Sequence, residues 1–247
     1  MTRSPANLPP ANLPPAILFD LDDTLITAHP DPRGAWRRAI DTLAERPEGL
    51  DPHGAADAIH QAARWFWSDP ARHREGRLNI AVARRNIVTR GLESAGFTDS
   101  DYIERLSDHF EVMRTAETAL FPDAVDTLVA LAERGVRLGL ITNGAAEPQR
   151  AKIERFDLER HFVHVQIEGE MGFGKPEEQA YAHALASLGT SVEDTWIVGD
   201  NLDWEVVVPQ RLGFHAIWRD PVGKGLPAGH PAKPDRIITR LAELVEG

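Results

Sequence analysis

A short apolar run near the start of the chain, residues 17–19, leads directly into two aspartates two positions apart, Asp20 and Asp22. The run is too short for a helix and follows a proline-rich stretch, so it is predicted to be a buried strand. Open α/β sheets bind their ligands at the carboxyl ends of their strands, where Asp20 would then lie. Because unpaired carboxylates beside a core are costly, we expect a metal ion or a phosphate-handling site there.

The rest of the chain divides into a helical part and a part in which strands and helices alternate. Helical spacing of apolar residues predicts helices at 33–46, 52–68, 76–96 and 101–116. Beyond Pro122, helices are predicted at 123–134, 147–156, 176–188, 202–212 and 239–246, and strands at 136–141, 162–167, 195–198, 214–218 and 235–238. This alternation is typical of a parallel sheet that is covered by helices on both faces.

The order of these elements predicts an α/β core that is interrupted by a helical cap. The core would contain residues 16–25 and 120–247, and the cap residues 26–119. Before the first strand, the segment PANLP occurs twice in tandem, at 5–9 and 10–14. A proline-rich repeat of this kind favours an extended conformation, so residues 1–15 are predicted to be a flexible tail without a chemical role.

Composition narrows the range of functions. The 247 residues carry a net charge of −11 and contain no basic run, which argues against nucleic-acid binding. Any site for an anion must therefore be made positive locally. The absence of cysteine excludes thiol catalysis, disulfides and cysteine-based zinc sites. Without an apolar stretch of membrane-spanning length or a signal-peptide pattern, we expect a cytoplasmic protein with no membrane partner.

Four predicted strands are followed by polar residues suited to phosphate chemistry. The residues concerned are Asp20 and Asp22, then Thr142 and Asn143, then Lys175 within Gly-Lys-Pro, and finally Asp200 and Glu205. Each motif alone is common in helix caps and turns. Together, and in this order, they supply carboxylates, a hydroxyl, backbone amides and one cation at the same edge of a sheet.

This set of motifs resembles the haloacid dehalogenase (HAD) superfamily. Its first motif is matched by residues 20–24, its second by Thr142, its third by Lys175 and its fourth by residues 199–205. The resemblance runs from about residue 16 to the end of the chain and implies a Rossmann-like parallel-sheet core. The helical insert between the first two motifs is similar to the C1 cap of one subgroup. The resemblance therefore implies a HAD-like hydrolase.

Within this family the chain resembles phosphatases more than dehalogenases, because dehalogenases lack the second aspartate that is present here as Asp22. The resemblance implies that Asp20 is the nucleophile, since a carboxylate can form an acyl phosphate. Asp22 would protonate the leaving alkoxide and then accept a proton from the attacking water. Lys175 would hold the phosphate and reduce its repulsion from Asp20. Asp23 is expected to be a turn or capping residue outside the site.

The remaining motif residues are expected to bind phosphate and a metal ion. The Thr142 hydroxyl and the Asn143 amide would donate to phosphate oxygens. The resemblance implies Mg²⁺ as the cofactor, which prefers hard oxygen ligands and retained waters. Its expected ligands are Asp20, Asp200 and the backbone carbonyl of Asp22, with Glu205 as an outer metal residue. The family pattern usually has an aspartate at the position of Glu205.

The leading hypothesis is a Mg²⁺-dependent phosphatase that hydrolyses a small phosphorylated metabolite through an aspartyl-phosphate intermediate. A phosphomutase or phosphotransferase would use the same nucleophile and return the phosphate to a sugar. A 2-haloacid dehalogenase is a further alternative within the family. The substitution at Glu205 also leaves open a catalytically weak phosphate-binding protein. The expected partner is a small phosphate ester, and the protein itself is expected to be a monomer or homodimer.

Overall fold

In the computed structural model, the described residues are 13–28 and 31–246. The chain forms two compact units, one of Met1–Thr27 with Leu120–Gly247 and the other of Ala28–Ala119. Most of the predicted proline-rich tail, residues 1–12, lies outside the described residues. The tail does not extend to residue 15 as predicted, because Leu13 packs against the core and the Pro15 carbonyl accepts a hydrogen bond from the Arg137 amide at 3.0 Å.

The first unit contains a six-stranded parallel sheet. Strands of the described residues are β1 (Ala16–Phe19), β2 (Ile26–Thr27), β3 (Ala119–Leu120), β4 (Arg137–Thr142), β5 (His164–Ile167), β6 (Thr195–Gly199), β7 (His215–Arg219) and β8 (Arg236–Ile238). The sheet has the order β5-β4-β1-β6-β7-β8, and every pair in it is parallel. The chain adds strands first on one side of β1 and then on the other. The predicted α/β class is confirmed.

Helices account for most of the remaining structure. In the second unit they are α1 (Pro32–Thr42), α2 (Pro52–Trp67), α3 (Pro70–Leu78), α4 (Ile80–Ser94) and α5 (Ser100–Glu117). In the first unit they are α6 (Ala124–Glu133), α7 (Ala146–Arg155), α8 (Glu168–Met171), α9 (Glu178–Leu188), α10 (Val208–Leu212) and α11 (Glu243–Glu246). A 3₁₀ helix covers Glu159–His161 and a π-helix covers Leu202–Val207.

Several of the predicted helices have different limits in the structure. The predicted helix 76–96 is wrong, because two helices meet at Asn79, whose backbone leaves the helical region. The first of them begins at Pro70, where the Asp69 side chain accepts a hydrogen bond from the Arg72 amide. The predicted helix 239–246 is reduced to α11. The predicted helix 202–212 begins as a π-helix and becomes α-helical only at Val208.

The central strand β1 is buried on both faces. Ile17 and Phe19 belong to one apolar cluster, whereas Ala16 and Leu18 belong to another. Because successive side chains of a strand point to opposite faces, these two clusters are the two layers between the sheet and its helices. A strand buried on both sides needs apolar residues at every position, which explains the uninterrupted apolar run before Asp20.

The helical unit has an apolar core of its own. The rings of Trp36 and Phe110 stack with their centroids 3.5 Å apart. Helices α2 and α4 approach closely at Gly91, where an added Cβ would lie 2.6 Å from the Cα of Ile59. Ile59 and Leu92 are fully buried in this core. Over residues 13–28 and 31–246, no helix combines the length and apolarity needed to cross a bilayer.

Candidate active site

Three neighbouring strands of the sheet end at predicted site residues. Asp20 follows β1, Thr142 is the last residue of β4, and Asp200 follows β6. The Asp20 amide donates a hydrogen bond to the carbonyl of Val198 at 2.9 Å, which extends the pairing of β1 and β6. Adjacent strands are about 4.8 Å apart, so these three residues share one edge of the sheet. This edge contains the topological switch point of the sheet, because β4 and β5 lie on one side of β1 and β6, β7 and β8 lie on the other.

Asp20 is held by two side-chain donors. One carboxylate oxygen, Oδ1, lies 2.6 Å from the Lys175 ammonium, and the other accepts a hydrogen bond from the Thr24 hydroxyl at 3.1 Å. Burial raises the pKa of Asp20, and the neighbouring Lys175 opposes that rise. The carboxylate therefore has a fixed orientation and a positive partner, both of which a nucleophile for a phosphate group requires.

Lys175 is buried between two carboxylates. Its side chain is 1 % exposed, and its Nζ lies 2.6 Å from Asp20 and 2.7 Å from Oε1 of Glu205. Burial alone would lower the pKa of Lys175, but the attraction of Asp20 and Glu205 more than compensates and raises it. The lysine is therefore an ammonium ion over the whole physiological pH range.

The loop that carries Lys175 is fixed by Asn143. The Asn143 side-chain amide donates to the carbonyl of Lys175 at 2.5 Å and accepts from the amide of Lys175 at 2.9 Å. Gly174 makes this approach possible, because an added Cβ would lie 2.7 Å from the Asn143 Oδ1. The side chain of Asn143 thus joins the ends of two motifs, and only its backbone amide is left for the phosphate role predicted from the sequence.

Glu205 was expected to be an outer metal residue, and its contacts in the structure are different. One oxygen is paired with Lys175, and the other accepts a hydrogen bond from the Asn201 amide at 2.8 Å. Burial raises the pKa of Glu205 to about 7, while Lys175 opposes the rise. With both oxygens engaged in this way, Glu205 is arranged to support Lys175. Its contribution to a metal site stays a prediction.

Local backbone geometry brings Glu205 to this position. It lies in the π-helix, where the amide of Val208 donates to the carbonyl of Asp203. Pro209 follows and lacks an amide hydrogen, so the regular α-helical pattern cannot include it as a donor. Gly199 lies directly against the Glu205 side chain, and an added Cβ would come within 2.7 Å of Cδ. Gly199, the glycine of the fourth motif, therefore leaves space for the side chain of Glu205, which is longer than the aspartate usual at that position.

Asp22 and Thr142 are joined by two residues of α7 that the sequence analysis missed. Lys152 places its Nζ 2.7 and 2.9 Å from the two carboxylate oxygens of Asp22. Gln149 donates from Nε2 to Asp22 at 2.9 Å and to the Thr142 hydroxyl at 2.6 Å. The one sequence signal for this pair is its spacing of three residues on the helix that follows Thr142, which places both side chains on one face. That spacing alone does not say what the two side chains contact.

Glu168 is a further buried residue that the sequence analysis missed. It is 1 % exposed, and its Oε2 accepts a hydrogen bond from the amide of Gly144 at 3.1 Å. Gly144 has a φ of 127°, which favours glycine. Glu168 therefore stabilises the turn after β4, next to Thr142 and Asn143. No sequence motif identified it, since an acidic residue after a strand is common.

Asp200 is buried near three other carboxylates. Burial and the nearby carboxylates of Asp20, Glu205 and Asp23 raise the pKa of Asp200 to about 9. Asp23 has a φ of 57°, in keeping with the predicted turn. The ammonium of Lys175 opposes the rise in the pKa of Asp200. A divalent cation beside Asp200 would oppose it further, because positive charge favours the ionised carboxylate.

This charge distribution fits magnesium better than a metal held by side chains alone. No cluster of three or more metal-binding His, Asp or Glu side chains occurs within the described ranges. Mg²⁺ usually binds one or two carboxylates and completes its shell with waters and substrate phosphate. Asp20 and Asp200, with the backbone carbonyl of Asp22, are a donor set of that kind.

Comparison with known proteins agrees with this architecture. The family model for haloacid dehalogenase-like hydrolases matches residues 14–208. A phosphoserine phosphatase from Thermus thermophilus is 32% identical, over 92% of this chain and 96% of its own length. A glyceraldehyde 3-phosphate phosphatase from Methanocaldococcus jannaschii is 25% identical, over 93% of this chain and 95% of its own. The structure of a 2-haloacid dehalogenase from Pseudomonas syringae is 30% identical, with a TM-score of 0.60 and coverage of 95% of this chain and 97% of the other.

The chain belongs to the haloacid dehalogenase-like hydrolase family. The superfamily that the four motifs suggested is therefore confirmed, as are the Rossmann-like core and the assignment as a hydrolase. The relatives include both phosphatases and a dehalogenase. Membership alone does not decide between these reactions, so the choice depends on the residues of the site.

Proposed function

We propose that the protein is a Mg²⁺-dependent phosphatase that hydrolyses a small phosphorylated metabolite through an aspartyl-phosphate intermediate on Asp20. The observation that carries the proposal is the buried ion pair of Asp20 with Lys175 at the switch point of the sheet. An anionic nucleophile that attacks a phosphate dianion needs a fixed cation beside it. The names of two similar proteins, a phosphoserine phosphatase and a glyceraldehyde 3-phosphate phosphatase, support a phosphate ester as the substrate.

In the first step, an oxygen of Asp20 forms a bond to phosphorus while the bond to the ester oxygen breaks. Asp22 transfers a proton to the departing alkoxide, which leaves as the alcohol. In the second step, a water attacks phosphorus and gives a proton to Asp22. The bond between Asp20 and phosphorus then breaks, which releases phosphate and restores the carboxylate. Splitting a slow hydrolysis into two steps lowers each barrier.

The same edge of the sheet supplies donors for the phosphate oxygens. The Thr142 hydroxyl and the Asn143 amide are directional donors, and Lys175 contributes positive charge. Because Asn143 and Glu205 hold Lys175 on two sides, its ammonium needs little rearrangement when the phosphate arrives. Fixed donors of this kind stabilise the transition state more than flexible ones.

We propose that Asp20, Asp200 and the backbone carbonyl of Asp22 hold Mg²⁺. When bound, the ion supplies positive charge that offsets the negative charge of the phosphate and the surrounding carboxylates. This assignment is supported by the burial of Asp200 near the carboxylates of Asp20, Glu205 and Asp23, which together raise its pKa to about 9. This donor set does not include Glu205, whose side chain contacts Lys175 and the Asn201 amide.

The helical unit Ala28–Ala119 is proposed to be the C1 cap that the family resemblance implies. Lids of this kind commonly exclude water and select the substrate. We therefore propose that this unit decides which phosphate ester is accepted, whereas the first unit supplies the chemistry.

The test is hydrolysis of p-nitrophenyl phosphate in the presence and absence of Mg²⁺ by the wild type and by Asp20→Asn. We expect activity that requires Mg²⁺ and falls by at least about 10³-fold in the variant, because the nucleophile is lost. Asp126→Asn is the matched control, since Asp126 is exposed on α6. Equal inactivity of wild type and Asp20→Asn over a panel of sugar, nucleotide and organic-acid phosphates would remove the phosphatase proposal.

The 2-haloacid dehalogenase that is 30% identical makes dehalogenation the second candidate. Asp22 argues against it, because an acid that protonates an alkoxide has no equivalent task when a halide leaves. Incubation with 2-chloropropionate and measurement of chloride release separates the two reactions. Chloride release that depends on Asp20 would replace the phosphatase proposal, and we expect none. Phosphate recovered as inorganic phosphate, with none on an added sugar, would exclude a mutase.

A further inference from the structure

We propose that Gln149 and Lys152, the α7 pair, are positioning residues that hold Asp22 and Thr142 together for catalysis. The proposal rests on the proposed phosphatase function and adds residues to which neither the motifs nor the relatives assign a role. Both side chains leave the same face of α7, since they are three residues apart. Their atoms lie 2.6 to 2.9 Å from their partners in every one of five contacts.

The direction of each hydrogen bond in this network is fixed by chemistry. The ammonium of Lys152 can only donate, and it lies 2.7 Å from Oε1 of Gln149. The opposite end of the Gln149 amide, Nε2, must then donate. Its acceptors are the carboxylate of Asp22 and the hydroxyl oxygen of Thr142. The amide therefore has one satisfactory orientation, and turning it over would break all three contacts.

This arrangement also orients the Thr142 hydroxyl. A hydroxyl group has one hydrogen to donate and two lone pairs that accept. Because Gln149 donates to the oxygen of Thr142, one lone pair is used and the hydroxyl hydrogen stays available to another acceptor. A phosphate oxygen is an acceptor without hydrogens of its own when ionised. Gln149 thus prepares Thr142 to donate to phosphate, which is the role proposed for it.

Asp22 needs such support because it lies outside the regular strand. It follows the end of β1 by three residues, and about a quarter (26%) of its side chain is exposed. A proton donor must be within hydrogen-bond reach of the leaving oxygen, so an Asp22 that turns freely would reach it only part of the time. Lys152 contacts both carboxylate oxygens, and Gln149 contacts one of them, so these donors fix the position of Asp22. An ammonium beside a carboxylate also favours its charged form, so removal of Lys152 does not by itself make Asp22 a poorer proton donor. A loss of proton donation in Lys152→Met therefore reports lost position. Gln149 itself is 4% exposed and therefore has little freedom.

The test compares two esters that differ in how much they need a proton on the leaving group. p-Nitrophenolate leaves readily as an anion, whereas the alkoxide from ethyl phosphate must be protonated. The measured quantity is kcat/KM, which reports the steps up to formation of the aspartyl phosphate. For Lys152→Met and Gln149→Leu, we expect kcat/KM to fall at least about tenfold more with ethyl phosphate than with p-nitrophenyl phosphate, since general acid catalysis contributes about 10²–10⁴-fold. Asp22→Asn removes the proton donor itself, so it should show the largest difference between the two esters in the fall of kcat/KM.

Two further variants serve as controls. Lys152→Arg keeps a cationic donor and should recover most of the activity on ethyl phosphate. Arg155→Met removes a positive charge from the same helix, at an exposed residue whose guanidinium lies 4.9 Å from the ring centroid of Phe156. It should leave both esters unaffected. If Gln149→Leu does not fold, Lys152→Met carries the comparison, because Lys152 is partly exposed.

The outcomes separate this proposal from the proposed function. Equal losses on the two esters, or no loss on either, would overturn the positioning role while leaving the phosphatase intact. Failure of the wild type to hydrolyse either ester in an Asp20-dependent way would instead remove the proposed function, and the positioning role with it. Recovery by Lys152→Arg together with the ester-dependent loss would support both.

Discussion

The carboxylate of Glu205 lies 2.7 Å from the ammonium of Lys175, and each of the two side chains is 1% exposed. Asp20 contacts the same ammonium at 2.6 Å. One buried cation is therefore shared by the proposed nucleophile and by a glutamate that chemistry alone would not require there. Removing one member of a buried ion pair leaves the other uncompensated, so each member can be tested by substitution.

Lys175→Met should be both inactive and unstable. The substitution leaves Asp20 and Glu205 facing each other without a cation, and loss of one partner of a buried pair commonly costs about 3–5 kcal/mol. We expect the free energy of unfolding, measured with urea, to fall by about that amount. Adding Asp20→Asn to Lys175→Met should recover part of the stability, because one of the two opposed carboxylates is then neutral. An additive effect of the two substitutions would contradict this coupling.

Glu205→Gln should retain the fold and weaken catalysis. Glutamine has nearly the shape of glutamate and can still accept from the Asn201 amide, but it does not compensate the charge of Lys175. We expect kcat/KM for p-nitrophenyl phosphate to fall about 10–100-fold, as is usual when a supporting residue of a charged site is lost. The dependence on Mg²⁺ concentration should be unchanged. A large rise in the Mg²⁺ concentration needed for activity would instead restore Glu205 to the metal site.

Gly199→Ala tests the close contact beneath Glu205. An added Cβ would lie 2.7 Å from the Cδ of Glu205, and overpacking of this kind costs about 1–3 kcal/mol. We expect a lower melting temperature for Gly199→Ala than for the wild type. In the background of Glu205→Ala the same substitution should cost less, since Cγ and Cδ of residue 205 are gone and only its Cβ, 2.9 Å from the added Cβ, remains. Equal costs in the two backgrounds would show that the contact is not what requires glycine.

Asn143→Ala tests how firmly the Lys175 loop is held. It removes two hydrogen bonds to the Lys175 backbone and leaves buried groups without partners, at a cost of about 1–3 kcal/mol. We expect reduced stability and a lower kcat, because Lys175 would move relative to Asp20. Thr142→Val is the comparison, since it removes a proposed phosphate donor but keeps these two bonds. Weaker inhibition by inorganic phosphate in Thr142→Val than in Asn143→Ala would support the division of roles.

Asp200→Asn should stabilise the metal-free protein. The pKa of Asp200 is raised from 3.8 to about 9, so the folded state favours the protonated form. Stability of the metal-free wild type should therefore fall as the pH rises between these two values. At pH 8 in EDTA, we expect Asp200→Asn to melt at least about 2–4 °C higher, which corresponds to about 1 kcal/mol for a chain of this size.

The same variant gives a test of metal binding that does not depend on activity. Added Mg²⁺ should raise the melting temperature of the wild type, because a ligand that binds only the folded state stabilises it. It should have little effect on Asp200→Asn, which lacks one proposed ligand. Equal stabilisation of the two proteins by Mg²⁺ would contradict the assignment of Asp200.

Much of the architecture could be predicted because its causes are local. An uninterrupted apolar run marked β1, and the alternation of later elements marked a parallel sheet. The errors occurred where the boundary depends on a single residue, as at Asn79 between α3 and α4. The fourth motif also forms a π-helix, followed directly by the α-helix that contains Pro209, and no apolar periodicity indicates this change.

The sequence by itself determined which chemical groups follow the strands, because each motif is a short contiguous segment that comes directly after an apolar run. Only the tertiary structure decided how those groups pair. Glu205 contacts Lys175 across 30 positions of sequence, and Gln149 and Lys152 reach Asp22 across more than 120. Such pairings follow from strand order and from the direction in which helix residues point, and both arise when the sheet assembles. Local sequence therefore supplied the chemistry, and long-range packing supplied the partners that hold it in place.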